Sequence, residues 1–599
     1  MISRPGRTVA VSLALSVLFT THLAHAATLY WDMNDWRPGI TDTANANGNW
    51  NSTLTNWSTS PDGTVNTEPW VDYSDVVFTS GLNSPATYTV TRESYAYVNS
   101  FTVNANVTLK STSSSTIYLN NSTPIINVGS GFTFTINTAS GSAVSLSDSQ
   151  GLTKTGDGTL NFTGTGTNSY SGNTKIQGGT LIFNSDGQLG TVPSRPTANN
   201  IILSNNAALQ NGSTLTLDPN RGIMISSGGG TFRGTNYVTM TIPGVISDDP
   251  NAKGQPITHA SIATLVLSGA NTFTGEFILN NDGGHVVLQN SNALGSPAGG
   301  TTVGLSVLHL QGNIDIASEP LTLNNSSGNS AWGLVNDSGN NTWGGPIALS
   351  GSCFINSAGG TLTLTNTIST ASGTPNLTLR GASNGIITGA VNHSGNLTKN
   401  DAGTWTLDAP ANAYTGSTTV NAGTLIINGS TVSATTTVNN TGTLGGTGSL
   451  HAVTVANGGA ISPGLLGSPG TLSMTNLTLN DTSILNFDLG SDSDLLAATG
   501  NLTLDGILNV TAGDGFAPGS YTLITYTGTL TDHTLELGNM PDGFSYAIST
   551  ATAHEVDLIV TGMLGVGLQR PQAVPEPATL VLLLPSLLIL SQKRRKPTT

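Results

Sequence analysis

Residues 151–190 read GLTKTGDGTLNFTGTGTNSYSGNTKIQGGTLIFNSDGQLG, and this stretch indicates the fold. Apolar and polar residues alternate in two short segments, Thr159–Thr163 and Thr180–Phe183, separated by glycine-rich corners and an Asn-x-Tyr-Ser-Gly turn. Residues two apart on a strand share a face, so Leu160 and Phe162 are expected to point into a core together. Short strands joined by tight corners are typical of one coil of a β-solenoid.

Two further stretches, 263–295 and 396–428, repeat this skeleton. Each contains Thr-apolar-x-apolar, then Asn-x-aromatic-Thr-Gly, then Gly-x-apolar-x-apolar. Glycine before a strand is expected to adopt a left-handed backbone, and asparagine before the aromatic is expected to tolerate such angles and bond its own backbone. These expectations concern Gly158, Gly179, Gly403 and Gly423, and Asn168, Asn271 and Asn412.

The shared skeleton resembles the autotransporter-associated β-strand repeat, and the first and third copies also carry its Leu-Thr-Lys opening, at Leu152 and Leu397. The resemblance implies an all-β protein, a right-handed parallel β-helix. The segments between the copies keep the alternation with looser corners, which predicts one continuous array of degenerate coils. At roughly 20 to 25 residues per coil and about 4.8 Å between coils, the array would be a rod on the order of 100 Å long.

Composition limits the partners of this body. The chain has 599 residues, of which only 9% are charged and 73 are glycine. Twelve of the 18 basic residues and 32 of the 33 acidic residues lie between residues 27 and 570, so the body carries a net charge of −20. Without a basic patch to neutralise phosphates, it is expected to repel nucleic acid and anionic lipid, whereas cations or neutral glycans suit it better.

Cys353 is the only cysteine in the chain. A chain with one thiol has no intramolecular disulfide, so its stability must come from hydrogen-bonded strands and stacked apolar residues. In the sequence Gly-Ser-Cys-Phe-Ile, the thiol is expected to be a small buried strand residue rather than a reactive group.

The amino terminus has the pattern of an export signal over residues 1–26. Arg4 and Arg7 precede an apolar run from Val9 to Phe19, and small residues follow at the two positions that a signal peptidase reads. An uncleaved anchor would need roughly 20 apolar residues, and this run is shorter. The predicted cleavage site consists of Ala24, Ala26 and Ala27.

The carboxyl terminus, 574–599, combines a Pro-Glu-Pro motif, an apolar stretch over 578–590 and a basic cluster. This order resembles the PEP-CTERM sorting signal. The basic cluster would stop a short hydrophobic helix with its end in the cytoplasm. The motif residues are Val574, Pro575, Glu576 and Pro577, and the basic residues are Lys593, Arg594, Arg595 and Lys596.

By resemblance, an exosortase-like membrane enzyme would recognise the motif, cut nearby and deliver the body to the surface of a bacterium with an outer membrane. Pro585 departs from the pattern because proline kinks a helix. A permanent tail anchor is the alternative, so removal of the helix stays open.

Residues 27–110 form the predicted amino-terminal cap of the array. Five of the eight tryptophans lie there, and large aromatics can close the apolar end of a solenoid. The alternative is a sugar-stacking platform of exposed indoles. These tryptophans are Trp31, Trp36, Trp50, Trp57 and Trp70. The predicted order then continues with repeat-bearing coils over 111–432, carboxyl-terminal coils over 433–561 and a linker over 562–573.

Parallel β-helices also include polysaccharide lyases and hydrolases, which makes an enzyme the alternative function. A lyase needs a basic residue beside cation-holding acids, and an inverting hydrolase needs two carboxylates about 6.5 to 9.5 Å apart. Asp248–Asp249 and Asp492–Asp494 are the tightest acidic pairs, and no two of the body's histidines have metal-ligand spacing. The isolated basic candidates, each expected to be a solvated corner residue, are Arg221, Arg233 and Arg380.

The sequence therefore predicts no catalytic, cofactor-binding or metal-ligating residue and no cofactor. It favours an exported, non-enzymatic structural or adhesion-type protein of the cell surface or extracellular matrix. The expected partners are an exosortase-like enzyme and exopolysaccharide or cell-surface glycans. Nucleic acid is not an expected partner, and membrane contact is expected only through the carboxyl-terminal helix.

Overall fold

The computed structural model describes residues 27–33, 46–79, 87–139, 141, 143–280, 283–324, 333–464 and 467–562. Within these residues the chain forms 60 strands in four sheets and a single 3-10 turn, Asp186–Leu189. The predicted signal sequence (1–26) and sorting signal (574–599) lie outside them. Almost all pairings are parallel, so the fold is an all-β parallel solenoid of about 18 coils, as the sequence predicted.

The first two sheets occupy mainly the amino-terminal part of the array. The first sheet contains Thr28–Trp31, Thr55–Ser58, Glu68–Pro69, Ser74–Thr79, Ala96–Asn104, Ser115–Leu119, Ile125–Val128, Val144–Ser147, Gly151–Thr155, Asn173–Ile176, Thr197–Leu203, Arg221–Ile225 and Ile246–Asp248. The second sheet contains Gly48–Trp50, Thr87–Arg92, Asn106–Ser111, Thr133–Asn137, Thr159–Thr163, Thr180–Phe183, Ala207–Asn211, Gly230–Gly234, Ile257–His259, Phe277–Leu279, Thr301–Val303, Leu321–Leu323, Ile347–Leu349, Ile368–Thr370 and Val391–Asn392.

The other two sheets begin later and run to the carboxyl end of the array. The third sheet contains Leu215–Thr216, Thr239–Ile242, Thr264–Leu267, Gly284–Leu288, Ser306–Gln311, Gly333–Ser338, Cys353–Ser357, Leu377–Arg380, Leu397–Lys399, Ala411–Asn412, Thr418–Val420, Ser430–Thr431, Thr435–Val438, Ser449–Val455, Thr471–Leu479, Leu495–Ala498, Leu502–Leu504, Gly519–Tyr526, Leu530–Asp532, Phe544–Ser549 and Glu555–Gly562. The fourth sheet contains Asp315–Ile316, Asn341–Trp343, Thr361–Leu364, Asn384–Ile387, Thr404–Leu407, Gly423–Ile427, Gly442–Gly446, Ala460–Pro463, Ile484–Leu489, Ile507–Ala512 and Glu536–Leu537.

The register of the ladders places like residues above like residues. Leu160 pairs with Leu181, which pairs with Leu209, and all three side chains are buried. The number of residues between paired positions is larger for Leu181 and Leu209 than for Ile257 and Phe277, because corners differ in length from coil to coil. Inward positions nevertheless form one continuous apolar column along the axis.

Both ends of the described array change to antiparallel pairing. At the amino end, Thr28–Trp31 pairs with Thr55–Ser58, which pairs with Glu68–Pro69. At the carboxyl end, Glu555–Gly562 pairs with Gly519–Tyr526 and with Phe544–Ser549. Such strands cover edges on which further parallel pairing could otherwise continue.

Four tryptophans of the predicted cap are buried and fill the amino end of the core. Ring centroids lie 5.0 Å apart between Trp50 and Trp57 and 4.9 Å apart between Trp50 and Trp70. Trp31 meets Trp57 edge-to-face at 5.2 Å. These four indoles pack against one another and do not form an exposed sugar platform; Trp36 lies outside the described residues.

The Leu-Thr-Lys openings place a lysine ammonium at a corner of the coil. Lys154 Nζ donates to the carbonyls of Thr155, Gly156 and Gly178 at 2.8, 2.6 and 3.1 Å. Lys399 does the same in the third copy of the repeat, with three carbonyl contacts of 2.8 to 2.9 Å. Burial lowers the pKa of each lysine to about 8. The lysine satisfies corner carbonyls that cannot join a ladder, so its role is structural.

The repeat asparagines connect three coils through their buried side chains. Asn168 Oδ1 accepts from the Leu146 amide at 2.9 Å, and its Nδ2 donates to the Gln188 carbonyl at 2.7 Å. Asn271 and Asn412 make equivalent bonds. The expected left-handed backbone is wrong, because none of the three has a positive φ. All three bond to neighbouring coils, and Asn412 alone also donates within its own coil, to the Ala409 carbonyl at 3.4 Å.

The glycines before the strands divide into two kinds. Gly179 and Gly423 are left-handed, with φ of 62° and 64°, as expected. Gly158 and Gly403 are not in the left-handed region. A Cβ at Gly158 would lie 2.2 Å from a carbonyl oxygen of the adjacent coil, so close backbone approach explains glycine there.

We predict that Asn271→Ala lowers the free energy of unfolding by roughly 2 to 5 kcal/mol, because the Ile246 amide and the Ala293 carbonyl would each be buried without a partner. Denaturant unfolding followed by circular dichroism measures the change. The matched control is Asn280→Ala at an exposed corner, which is expected to shift stability by less than about 0.5 kcal/mol. Equal effects of the two substitutions would contradict the coil-bridging role.

Candidate functional site

The acidic pairs do not converge on a common point. Asp248 accepts from the Thr274 hydroxyl at 2.6 Å, whereas Asp249 accepts from the Ser226 hydroxyl at 2.6 Å and from the Asn251 amide at 3.0 Å. The Asp248 carboxylate therefore binds the following coil at Thr274, and the Asp249 carboxylate binds the preceding coil at Ser226. This arrangement connects corners of successive coils.

The second acidic pair is also engaged by the backbone. Asp494 is buried, and its two oxygens accept from the amides of Gly470 and Asp488, each at 2.8 Å. Burial raises the pKa of Asp494 to about 6. Asp492 lines a shallow cleft of about 370 Å³ together with Asp488 and Asp514. Across the described part of the chain, no three His, Cys, Asp or Glu side chains are placed to hold a metal ion.

Arg221 is not the solvated corner residue that the sequence predicted. Its side chain is buried, and Nε donates to Asp186 Oδ1 at 2.8 Å. Its other nitrogens bond Asn200 Oδ1 at 2.8 Å and the Gly190 carbonyl at 2.6 Å. The guanidinium, with five donors, connects three segments because its fixed fork matches several acceptors at once.

The remaining predicted residues have simple surroundings. Arg233 is exposed, and Arg380 lies half exposed beside Asp401, with 3.6 Å between Nε and Oδ2. Cys353 is buried, and burial raises the pKa of its thiol to about 12, which confirms an unreactive strand residue. The sorting and stop-transfer residues lie outside the described residues, as do Ala24 and Ala26, whereas Ala27 begins the described chain.

Two histidines that are distant in sequence meet on the outer face of the third sheet. His285 Nδ1 lies 2.9 Å from His309 Nε2, and His309 Nδ1 lies 3.0 Å from Asp337 Oδ1. Burial and the neighbouring His309 lower the pKa of His285. Burial acts to raise the pKa of Asp337, but hydrogen bonds from His309 and Gln311 lower it overall. The sequence did not predict this contact between His285, His309 and Asp337, although each group lies one coil from the next.

Two other histidines are buried in the core without a charge partner. Burial lowers the pKa of His259, with a further contribution from His285, and the pKa of His393, each to about 4. His393 stacks on Tyr414 at 5.6 Å between ring centroids, and its Nδ1 accepts from the Gly395 amide at 3.2 Å. Both rings are therefore neutral packing elements near neutral pH.

Four tyrosines form an exposed cluster on the amino-terminal coils, here called the tyrosine surface. Tyr97 stacks on Tyr73 at 5.1 Å and on Tyr118 at 4.9 Å, with interplanar angles of 23° and 22°. Tyr95 meets Tyr97 edge-on at 6.1 Å. Tyr73, Tyr95 and Tyr118 are 44%, 62% and 38% exposed. The cluster arises because Tyr97 and Tyr118 occupy paired positions of adjacent strands.

The tyrosine surface is held in place from beneath. The Asp72 carboxylate accepts from the Tyr97 amide at 3.1 Å and from the Trp70 indole at 2.8 Å. Tyr73 has a φ of 69°, which is rare for a bulky residue. Such a backbone outlier often accompanies a functional surface, because the surrounding structure must enforce it. The surface therefore combines exposed rings with a rigid support.

Comparison with known proteins identifies the repeat. Residues 152–183 and 397–427 match the Passenger-associated-transport-repeat, which confirms the first and third copies as repeats of the autotransporter-associated kind. The second stretch, 263–295, lies outside these matched residues, although its Asn271 bridges coils in the same way. The parallel β-solenoid therefore contains two copies of this repeat.

One relative is an adhesin. Over 368 residues, 61% of this chain, the sequence is 32% identical to the Adhesin BmaC autotransporter of Brucella suis biovar 1 (strain 1330). The chain spans about 9% of the length of that protein. Over the described residues, no helix is long and apolar enough to cross a bilayer, and the predicted hydrophobic segment 578–590 lies beyond them.

We predict that His393→Asn makes the protein more resistant to acid. The unfolded chain protonates His393 near pH 6.5 but the folded protein only near pH 4, so this histidine reduces stability as the pH falls between those values. Asparagine retains an acceptor for the Gly395 amide but does not titrate.

At pH 7.5 the variant is expected to be less stable, because the stacking of His393 on Tyr414 is lost. Between pH 7.5 and pH 4 the difference in stability is expected to change by about 3 kcal/mol in favour of the variant. Denaturant unfolding at both pH values measures this difference, and comparing the two proteins removes the contributions of other titrating groups. A constant difference across the range would show that His393 titrates normally in the fold.

Proposed function

We propose that this protein is an exported, non-enzymatic protein of the cell surface or extracellular matrix that acts in adhesion. The tyrosine surface carries the proposal, because a rigid cluster of exposed rings on the outside of a folded body is a feature of contact sites. The similarity to an adhesin over 61% of the chain supports the same role. A solenoid is elongated, so it can hold a contact surface at a distance from the point where the chain is attached.

Glycans of neighbouring cells or of the matrix are the proposed ligands of the tyrosine surface. A tyrosine offers an apolar ring for the C–H face of a sugar and a hydroxyl for hydrogen bonding, and it loses little conformational freedom on binding. The acidic body disfavours strongly anionic polymers. Neutral or cationic glycans therefore fit the surface best.

Delivery to the outside is proposed to depend on the two ends of the chain. The signal over 1–26 directs export, and Val574, Pro575, Glu576 and Pro577 direct processing by an exosortase-like enzyme of a bacterium with an outer membrane. The segment over 578–590 and the basic cluster from Lys593 to Lys596 would hold the body at the membrane until processing. The sequence pattern at the two ends supports this route.

Replacing Tyr73, Tyr97 and Tyr118 by serine is expected to reduce adhesion at least tenfold, because the stacked rings that contact the ligand are lost. Attachment of protein-coated beads to cells of the source bacterium, counted under flow, measures the effect. Tyr237→Ser is the control, since Tyr237 is 85% exposed but has no aromatic neighbour in the described structure. Equal attachment of wild type and the triple variant would refute the proposed contact surface.

Replacing Pro575, Glu576 and Pro577 by alanine is expected to leave the protein unprocessed in the membrane fraction. Mass spectrometry of the mature carboxyl terminus measures processing, and wild type is expected to end near Glu576. Pro571→Ala, outside the motif, is the control and should mature normally. Normal maturation of the motif variant would exclude sorting through Pro-Glu-Pro.

A test for catalysis separates the proposed function from the polysaccharide-degrading alternative. Purified protein is incubated with acidic and neutral polysaccharides, and new reducing ends or unsaturated products are measured. No turnover is expected, because Asp248, Asp249 and Asp494 are bonded to the backbone and to neighbouring side chains. The cleft lined by Asp488, Asp492 and Asp514 is where a catalytic pair of carboxylates would have to act, so turnover that is lost in Asp492→Asn would identify it. Sustained product formation would overturn the non-enzymatic assignment.

A further inference from the structure

A straight row of threonines runs along the outer face of the third sheet, here called the threonine ladder. Each threonine pairs in register with the next, from one parallel strand to its neighbour, over eight successive strands. Parallel strands lie about 4.8 Å apart, so the row extends over roughly 35 Å. Its members are Thr378, Thr398, Thr419, Thr437, Thr454, Thr478, Thr503 and Thr531.

The hydroxyls of the threonine ladder are not used within the protein. Among the described residues, none of the eight makes a side-chain hydrogen bond, although other threonines such as Thr418 and Thr174 do. All eight side chains are at least partly exposed. Threonine is restricted at χ1, so the row presents hydroxyl and methyl groups with little conformational entropy to lose on binding.

The positions beside the ladder are uncharged through its central part. In five successive coils the outward residues two positions before and after the ladder threonine carry no charge, while the body as a whole has a charge of −20. Asn421 Nδ2 bonds Asn400 Oδ1 at 2.9 Å, and Asn439 Nδ2 bonds Asn421 Oδ1 at 2.8 Å, which fixes one flank. The flanking residues are Asn396, Asn400, Ser417, Asn421, Thr435, Asn439, Ala452, Ala456, Asn476 and Asn480.

We propose that the threonine ladder is a binding face for a neutral, linear polysaccharide that lies parallel to the solenoid axis. A sugar polymer alternates hydroxyl and C–H groups along its length, and each threonine offers one hydroxyl and one methyl. Many weak, evenly spaced contacts add up because binding of one sugar brings the next within reach of the following threonine. The central part of this face carries no charge that would attract a charged polymer, and the acidic body repels polyanions.

The ladder proposal rests on the proposed adhesive function. It adds a second binding face to that function and names the class of ligand that this face binds. The ladder lies on coils far along the chain from the tyrosine surface, whose four residues all precede residue 120. The two faces can therefore be altered separately. The ladder would hold an extended neutral chain, whereas the tyrosine surface is the proposed contact for the bead-adhesion test.

The test uses the full-length secreted protein and two insoluble neutral glucans, cellulose and curdlan, with alginate as the acidic comparison. The ladder variant combines Thr398→Val, Thr419→Val, Thr437→Val and Thr454→Val, which remove hydroxyls but keep β-branched shape. The control variant combines Thr258→Val, Thr322→Val, Thr363→Val and Thr406→Val, whose outward threonines lie on the second and fourth sheets and likewise have no side-chain partner within the described structure.

Wild type and the control variant are expected to be retained on at least one glucan but not on alginate, and the ladder variant to bind at least tenfold more weakly. A second variant, Thr437→Lys, is expected to reduce binding as well, because its charge and bulk interrupt the neutral row. Circular dichroism verifies that each variant is folded. If the ladder variant fails to fold, Thr437→Lys alone decides the outcome.

Several results would overturn the ladder proposal. These are retention of the ladder variant at wild-type strength, stronger binding to alginate than to glucan, or no glucan binding by folded wild type. Inhibition of ice recrystallisation that is lost in the ladder variant, without glucan binding, would assign the row to ordered water instead. If the ladder proposal fails but bead adhesion still depends on the tyrosine surface, the proposed adhesive function stands. If folded wild-type protein shows neither bead adhesion nor glucan binding, both the adhesive function and the ladder proposal are refuted.

Discussion

The structure depends on one constraint: each coil must pair its backbone with the coils above and below it. In a strand the parallel ladder does this, but at a corner the chain turns and its amides and carbonyls point away from any ladder. Lys154 and Lys399 supply three donors to corner carbonyls, and Asn168, Asn271 and Asn412 bridge an amide on one side and a carbonyl on the other. These buried polar side chains allow coils of unequal length to stack without a break.

The same constraint explains the structural roles of the buried Arg221 and Asp494. The core is a narrow column, so a charge placed in it lies within reach of backbone groups from several coils. Arg221 donates to the carbonyls of Leu189 and Gly190 in a preceding coil. Asp494 accepts from the Gly470 amide, which also lies in a preceding coil. Groups held in this way are rigid, and their oxygens and nitrogens are occupied, which leaves them unsuited to proton transfer with a substrate.

Stacking also turns sequence spacing into surface pattern. A side chain that recurs at paired positions of successive coils becomes a straight row, so the stacked Tyr97 and Tyr118 and the threonine ladder share one origin. The His285–His309–Asp337 chain instead runs diagonally across the sheet, because His285 pairs with Val307 and His309 pairs with Val287. The protein thereby presents different chemistry on different faces while its core remains a single apolar column.

The sequence by itself determined the all-β coil, the inward leucines, the cap tryptophans and the buried Cys353, because these follow from local alternation, glycine corners and side-chain size. It predicted the wrong role for Asn168, Asn271 and Asn412 and for Arg221, since their partners lie one coil or more away in the chain. The tyrosine surface and the threonine ladder were decided only by tertiary structure. Coil length varies along the array, so the sequence interval between stacked residues is not constant, and only the register of the folded strands shows which residues form a row.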